Sequence, residues 1–302
     1  MRSTLKLAIL VTGLATIVAV GLAAQADWRA DTEAFRRARE IEIGGPGGWA
    51  SLVGLHWLEP GAHTIGRGRD NAIVLSAPSA PERLGILTVS NDGATLQLAS
   101  GVAALVKGRP VTSVQFRPGM ADDDALTAGK LKIVLIKRGA RLALRVWDEA
   151  SPTRLAFTGL KWMPIDSAWR VDATFVAHTP APKMRIANVL GETIEMTNPG
   201  YVSFSKAGQE YRLEALLESA DAKQLFFMFR DGTTRKTTYG AGRYLYTDLP
   251  NNGRVIVDFN RAMNPPCAFT TFATCPLPPA SNQLTIPVTA GELDSDHTHA
   301  SR

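Results

Sequence analysis

Histidine and cysteine are scarce in this chain of 302 residues, which contains five His and two Cys. His56, His63 and His178 belong to separate predicted strands, and no short His-x-His or Cys-x-x-Cys pair is present to start a metal site. The other two histidines lie in a polar C-terminal tail, residues 294–302, which we expect to be disordered. The sequence therefore predicts no zinc site, and nothing in it indicates another metal or a cofactor.

Signature motifs of several large enzyme classes are absent as well. The chain has no Walker loop and no His-Glu-x-x-His helix. It has no Gly-x-Ser-x-Gly elbow, so the serine mechanism of α/β-hydrolases has no support. Gly66-Arg-Gly68 lacks the third glycine and the following helix of a dinucleotide-binding fingerprint. These absences exclude the commonest assignments and leave other enzyme classes open.

Long apolar runs are confined to the N-terminus. Arg2 and Lys6 precede and flank an apolar segment that ends at residue 22, and Ala24-Gln-Ala26 is a small-x-small cleavage site. This pattern is typical of a secretory signal peptide, here cut before Asp27. The alternative is an uncleaved membrane anchor, because the run is almost long enough to span a bilayer. Cleavage predicts a periplasmic or secreted protein with no stable membrane span.

The charged residues do not indicate a nucleic-acid partner. Residues 1–26 contain two of the 33 Lys and Arg and no acid, so the remainder has 31 cations against 28 anions, a net charge of +3. These cations are scattered and form no basic stripe or arm, which excludes the usual electrostatic footprint of nucleic-acid binding. Asp122-Asp-Asp124 is expected to be an acidic surface loop, because consecutive carboxylates cannot all face one ion.

Short segments with hydrophobic period two recur from Leu52 onward, separated by turn residues at intervals of about ten. No long helical period intervenes, so we predict antiparallel sheets and not βαβ units. One helix is expected first, over residues 27–41, with Trp28, Phe35, Ala38 and Ile41 on its buried stripe. The predicted fold is mainly β: a helix and β-sandwich over 27–148, packed against a β-barrel or sandwich over 149–293.

The first half has a short resemblance to forkhead-associated sandwiches. Thr64-Ile-Gly-Arg-Gly-x-x-Asn-x-Ile-Val-Leu75 looks like the opening of those phosphopeptide-binding domains. The Ser and Gly-x-x-His expected next are replaced by Pro81-Glu-Arg-Leu-Gly85. The resemblance therefore implies a similar sandwich and gives no support to phosphothreonine binding.

The densest group of polar and turn residues runs from Tyr239 to Glu292. Asp258 and Asn260 are expected on one face of a strand, because strand side chains alternate. If that face lines the mouth of a barrel, Arg243 can hold an anion there. We predict a site for a small polar or anionic ligand formed by Tyr239, Arg243, Asp258, Asn260 and Asn264. The structural alternative is a buried Arg–Asp pair that fixes the barrel, with the two asparagines capping turns.

Candidate catalytic residues are Asp258, Glu292 and His178. Either acid could act as a base while Arg243 stabilises developing negative charge. His178 precedes Thr179-Pro180 at the end of a predicted strand, a position that suits a general base. A surface histidine beside a turn is the alternative.

Cys267 and Cys275 are the two cysteines of the chain. In an oxidising compartment an even pair predicts a disulfide. Closing a loop of nine residues would stabilise the fold by roughly 2.6 kcal/mol in the chain-entropy model. A free nucleophilic cysteine is the alternative.

Several motifs of the second half resemble those of one known family. They are Thr238-Tyr-Gly-Ala-Gly-Arg-Tyr244, Asp258-Phe-Asn-Arg-Ala-Met-Asn-Pro-Pro-Cys-Ala-Phe269, Thr274-Cys-Pro-Leu-Pro-Pro279 and Ala290-Gly-Glu292. They are similar to the bacterial and archaeal family of uncharacterised proteins called domain of unknown function 1684. Trp49-x-Ser-Leu-Val-Gly-Leu-His-Trp-Leu58 and Arg145-Val-Trp-Asp148 also look like its pattern, so the resemblance extends over nearly the whole mature chain. It implies no reaction, ligand or catalytic residue.

Three hypotheses for the function follow. The protein is exported and binds a small polar or anionic ligand in its second half. Alternatively, it is a hydrolase-like enzyme that uses Asp258 or Glu292 with Arg243. The third alternative is a structural or envelope-assembly module in which the polar residues only hold the fold.

Overall fold

The computed structural model describes residues 27–119 and 124–294. The predicted signal peptide, two of the three acids of the 122–124 segment and the tail from residue 295 onward lie outside the described residues. Within the described ranges, no helix is both long enough and apolar enough to cross a membrane.

Helix α1 spans residues 27–44. Thr32, Arg39 and Ile43 are its buried positions, on one face of the helix. Ala38 and Ile41 are exposed, so their predicted place on the buried stripe was wrong. The C-terminal end of the helix packs in an apolar cluster through Ile43, but its other large buried side chain is Arg39, which a hydrophobic pattern does not detect.

The first half is a β-sandwich of two sheets. Its five-stranded sheet has the order β3-β2-β4-β5-β8, and its six-stranded sheet has the order β1-β11-β10-β9-β6-β7. Apolar side chains of both sheets form one core that includes Leu87, Leu96, Ile133 and Leu144. In β4 buried and exposed residues alternate without exception, as the predicted period of two requires. The strands are β1 (Leu52–Trp57), β2 (Gly61–Gly66), β3 (Ile73–Val74), β4 (Gly85–Ser90), β5 (Gly93–Leu98), β6 (Ala104–Val106), β7 (Arg109–Val111), β8 (Ser113–Phe116), β9 (Leu126–Ala128), β10 (Leu131–Arg138) and β11 (Arg141–Asp148).

A short helix, α2 (Pro152–Leu155), follows the sandwich. The Ser151 hydroxyl accepts a hydrogen bond from the Arg154 backbone N–H at 3.1 Å and caps the helix. Pro152 occupies the first helical position, where a missing N–H has no consequence. The chain then leads through a 3₁₀ turn, Ser167–Trp169, into the second half.

The second half is one antiparallel sheet with the order β17-β16-β15-β14-β12-β18, and β13 pairs with β14. β17 and β18, at the two ends of this order, contact each other, so the sheet nearly closes into a barrel. Its core contains Phe204, Leu213, Phe227 and Phe259. The strands are β12 (Arg170–Ala177), β13 (Lys183–Ala187), β14 (Thr193–Lys206), β15 (Gln209–Leu217), β16 (Gln224–Phe229), β17 (Arg243–Asp248) and β18 (Arg254–Asp258). The predicted mainly β fold is confirmed.

The loop between Cys267 and Cys275 contacts the sandwich. The Thr270 hydroxyl donates to the Leu52 carbonyl at 3.0 Å. The Thr274 hydroxyl accepts from Arg138 Nε at 3.2 Å. These contacts place the loop of the cysteines at the junction of the two β halves.

Candidate functional site

Arg243 is the first residue of β17, and its side chain is 1% exposed. Its Nη2 donates to Asp231 Oδ2 at 2.8 Å and to the Val288 carbonyl at 3.1 Å, and its Nη1 donates to the Ala290 carbonyl. Burial lowers the pKa of Arg243, and the charge of Asp231 opposes this effect. Arg243 therefore forms a buried ion pair with Asp231, the structural alternative noted for this residue, and it does not contact Asp258 or Asn260 through any hydrogen bond in the described chain.

Asp231 holds the start of the loop that joins β16 to β17. Its Oδ1 accepts from the Thr233 N–H at 2.7 Å, the Thr233 hydroxyl at 2.6 Å and the Val288 N–H at 3.2 Å. Because Arg243 occupies Oδ2, both carboxylate oxygens have partners within the protein. The pair of Arg243 and Asp231 thus attaches this loop to the segment that contains Val288.

Asp258 and Asn260 form a second, separate network. Strand β18 ends at Asp258, and Asn260 lies in the following 3₁₀ turn, so their predicted alternation along one strand was wrong. The side chains still meet, because Asp258 caps the turn: its Oδ1 accepts from the Asn260 N–H at 3.0 Å and from Asn260 Nδ2 at 2.8 Å. Asp258 Oδ2 accepts from Trp28 Nε1 of helix α1 at 2.6 Å.

Asn264 and Glu292 form a third network, and both are fully buried. Asn264 donates its backbone N–H to Glu292 Oε2 at 3.1 Å and its Nδ2 to Oε1 at 3.0 Å. Arg39 of α1 donates to the Asn264 carbonyl at 2.7 Å, and its Nε lies 4.0 Å from Glu292 Oε2. Burial raises the pKa of Glu292 to about 7, although Arg39 and Asn264 lower it. Such a pKa would suit a general base, but solvent does not reach the carboxyl.

Four of the predicted site residues therefore form the surface on which helix α1 docks. We call Asp258, Asn260, Asn264 and Glu292 the helix-docking cluster. Besides the contacts above, Arg36 of α1 donates to the Asn260 carbonyl at 3.3 Å. The polar residues that stand out in the second half thus bind a segment from the N-terminus of the same chain.

His178 follows the end of β12, as predicted. Its Nε2 lies 3.1 Å from Glu214 Oε2, and Asn198 Nδ2 donates to the same oxygen at 2.7 Å. The imidazole is partly exposed. None of its hydrogen bonds in the described residues reaches another predicted catalytic residue, so the structure does not bring His178 together with Asp258 or Glu292.

The predicted disulfide is not present in the structure, where Cys267 and Cys275 are both buried thiols. The Cys267 N–H donates to Cys275 Sγ at 3.1 Å. Hydrogen bonding to Cys267 and burial raise the pKa of the Cys275 thiol, which disfavours a reactive thiolate. The hydroxyl of Tyr239, a predicted ligand residue, donates to the Cys267 carbonyl at 3.0 Å.

A groove of about 440 Å³ lies on the outer side of Asp231. We call it the arginine groove, and its lining residues are Arg230, Asp231, Thr234, Arg235 and Gln283. Within residues 27–119 and 124–294, neither arginine side chain has an ion-pair or hydrogen-bond partner. Burial and the positive charge of Arg235 lower the pKa of Arg230. The groove therefore holds two neighbouring positive charges, and neither has an ion-pair partner among the described residues.

The glycines of the Tyr239-Gly-Ala-Gly-Arg243 segment make room for both arginines. A Cβ on Gly240 would lie 3.2 Å from Arg235 Cγ, and one on Gly242 would lie 3.2 Å from Arg230 Cγ and 2.6 Å from Pro278 Cγ. Gly242 also has a φ of +103°, which a side chain would strain. The aliphatic parts of the two arginines thus lie against a glycine floor.

Sequence reasoning did not identify Arg230, Arg235, Thr234 or Gln283. Arg230 and Arg235 lie on either side of the Asp231-Gly232 turn. In the sequence they look like the other scattered arginines, which are ordinary surface residues. Gln283 reaches the groove because its segment runs parallel to Arg230. Gly240 and Gly242 were the available signal in the sequence, because glycines can indicate that another group lies close to the backbone.

The described residues contain no group of three or more His, Cys, Asp or Glu side chains placed to hold a metal ion.

Comparison with known proteins gives a family and no activity. The model of the family described as "Protein of unknown function (DUF1684)" matches residues 155–293. The motifs at Trp49 and Arg145 lie outside that match. No curated protein matches the chain. Six solved chains do, among them the solution structure of an uncharacterised protein from Haloarcula marismortui, with 34% identity over 49% of this chain and 82% of that one, and a TM-score of 0.41. Residues 155–293 thus match the DUF1684 family of proteins of unknown function, the family that the motifs of the second half resemble.

Proposed function

We propose that this protein is an exported binding protein whose ligand is a small anion held in the arginine groove. The observation that carries the proposal is the pair of uncompensated guanidinium groups of Arg230 and Arg235 over the Gly240 and Gly242 floor. The two like charges repel each other, since the charge of Arg235 lowers the pKa of Arg230, and an anion between them would remove that repulsion. The planar guanidinium also suits oxyanions, which it can bind through two parallel hydrogen bonds.

The size and rigidity of the groove support the same function. Its volume of about 440 Å³ falls within the range of roughly 300–1,000 Å³ of small-molecule sites. The backbone beneath it is held by the buried pair of Arg243 and Asp231, whose exposed fractions are both 1%. The loop that carries Arg235 is thus held before an anion binds, which reduces the loss of backbone conformational entropy on binding.

The predicted ligand residues have a supporting role in this proposal. Arg243 positions the loop of the groove, and Tyr239 begins the segment that carries the glycine floor. Asp258, Asn260 and Asn264 hold helix α1 and do not line the groove. Ligand contact itself is assigned to Arg230, Arg235, Thr234 and Gln283.

Binding of inorganic phosphate, measured by isothermal titration calorimetry at low ionic strength, tests the proposal. We expect Arg230→Gln and Arg235→Gln each to weaken binding by about tenfold or more, since hydrogen bonds to charged groups contribute roughly 1.5–3 kcal/mol. Arg109→Gln, an exposed arginine of the sandwich, is the matched control. Equal binding by all four proteins would place the anion elsewhere and refute the assignment.

Export is the second part of the proposal, supported by the pattern of residues 1–26. Periplasmic localisation predicts that the mature chain begins at Asp27. N-terminal sequencing of the protein from a periplasmic extract measures this. A chain that retains residue 1 and stays with the membrane fraction would identify an uncleaved anchor.

We also propose that Cys267 and Cys275 form a disulfide after export. Both thiols are close enough to share a hydrogen bond. Their oxidation releases two protons and transfers two electrons to a disulfide-bearing oxidant, such as a thiol oxidase, by thiol–disulfide exchange. Alkylation of the denatured protein without reductant should leave both cysteines unmodified. Labelling of both would show that they remain thiols.

A further inference from the structure

We infer that the ligand of the arginine groove carries a phosphate monoester group, an inference that rests on the anion-binding function proposed above. The charges around the groove are those of Arg230, Arg235, Asp231 and Arg243. Asp231 and Arg243 neutralise each other at 2.8 Å. Two positive charges remain, so a divalent anion matches the site and a monovalent one leaves a charge uncompensated.

The uncharged lining residues add hydrogen-bond donors. The Thr234 hydroxyl oxygen accepts from the Asp231 N–H at 3.0 Å, which leaves its hydrogen to be donated. Gln283 contributes a side-chain amide at the rim of the groove. The carboxylate of Asp231 does not compete for these donors, because both its oxygens are occupied within the protein. Four side chains of the lining can thus donate hydrogen bonds to an oxyanion in the groove.

Among biological oxyanions, the phosphate monoester matches the two positive charges and the four donor side chains of the groove. It carries a charge of about −1.5 to −2 at pH 7 and has three acceptor oxygens. Phosphodiesters and sulfate monoesters carry a single negative charge. The groove volume of about 440 Å³ is in the range for organic ligands and not for a bare ion, so the phosphate is expected to be attached to an organic group.

The backbone of Arg235 gives independent support. Its φ is +64°, a left-handed conformation that is unfavourable for a residue with a side chain. The conformation is held by a hydrogen bond from the Arg235 N–H to the Thr238 carbonyl at 3.0 Å. Strained residues of this kind cluster at ligand sites. Glycine at position 235 would relieve the backbone strain and remove the guanidinium. The substitution should therefore raise the stability of the fold and weaken ligand binding.

Calorimetric titration of the full mature chain with phenyl phosphate, phenyl sulfate and inorganic phosphate tests the inference. At pH 8 we expect phenyl phosphate to bind about tenfold or more tightly than phenyl sulfate, from the additional charge-assisted hydrogen bonds. Its affinity should fall as pH drops through about 6, the second pKa of the phosphate, while that of phenyl sulfate stays constant. Tighter binding of inorganic phosphate than of phenyl phosphate would identify a bare ion as the ligand and overturn the monoester.

The variants separate this inference from the function on which it rests. Arg235→Gly should lose phenyl phosphate binding and raise the melting temperature, whereas Ala207→Gly, at an exposed position with a φ of +50°, should raise it and leave binding intact. Equal affinities for phenyl phosphate and phenyl sulfate, both lost in Arg235→Gly, would refute the monoester and keep the anion site. Binding that is unchanged in Arg235→Gly, or absent for all three anions, would refute both.

Discussion

Protonation of Glu292 should control how firmly helix α1 is held. Its carboxyl is fully buried, and burial raises its pKa to about 7 from the ordinary 4.5. The folded protein therefore binds a proton more tightly than the unfolded chain. At about 1.36 kcal/mol for each unit of pKa, this difference corresponds to about 3 kcal/mol.

The sign follows from linkage. When the pKa of a group is higher in the folded protein than in the unfolded chain, its protonation stabilises the fold. This stabilisation is complete at a pH below the pKa of the unfolded chain and is lost as the pH rises through the pKa of the folded protein. The free energy of unfolding should therefore decrease between about pH 4.5 and pH 7 by up to about 3 kcal/mol from Glu292 alone. The charged groups that face Glu292 are Arg39 on α1 and Arg243 on β17.

Glu292→Gln isolates this contribution, because glutamine is an uncharged analogue of the protonated acid. Urea denaturation of the wild type and the variant should be followed by intrinsic fluorescence at several pH values between 4.5 and 8. We expect the wild type to lose stability relative to the variant as pH rises. Exposed Glu195→Gln serves as the control and should keep the wild-type slope. A difference between wild type and Glu292→Gln that does not change with pH would refute the reasoning.

Three further outcomes follow from the described contacts. In urea denaturation, Asp231→Asn should lower the free energy of unfolding by about 3–5 kcal/mol, because Arg243 is left buried without its anion. The double variant Asp231→Asn with Arg243→Met should recover part of this loss. Arg39→Met should cost about 3 kcal/mol, since its charge lies beside Glu292, whereas substitution of an exposed arginine of α1 should cost little. Gly242→Ala should abolish phosphate binding and lower the free energy of unfolding by about 2 kcal/mol, because its Cβ would clash with Pro278. Gly101→Ala is the control, since φ there is +82° and nothing lies within 4 Å. This variant should lose only the stability that the backbone strain costs, and it should retain binding.

The fold class was predictable because β structure leaves a local pattern in the chain. In β4, buried and exposed residues alternate from Gly85 to Ser90, and that period is a property of the strand itself. Helix α1 was also predicted, but its buried face was not. Arg39 is 4% exposed because its partner is a carboxylate about 250 residues later in the chain, and no local hydrophobic pattern encodes such a contact.

Most of the arginine groove lies outside the stretch in which the sequence predicts a site. Gln283 and the glycine floor belong to the segment from Tyr239 to Glu292, but Arg230, Asp231, Thr234 and Arg235 precede it. Arg243 was expected to face Asp258, yet its carboxylate partner is Asp231, since β17 begins beside the end of β16. Arg230 and Arg235 carried no signal of their own, because their significance depends on the absence of a counter-charge nearby.

By itself, the sequence determined the strands, the turns between them and the glycines that allow close packing, because these depend on each residue's own conformational preference and on neighbours within a few positions. The tertiary structure decided which charges meet. Arg243 and Asp231 neutralise each other, Glu292 is buried against α1, and Arg230 and Arg235 are left to face the same groove. Ion pairs depend on distance in space, and only the closing of the sheet sets those distances.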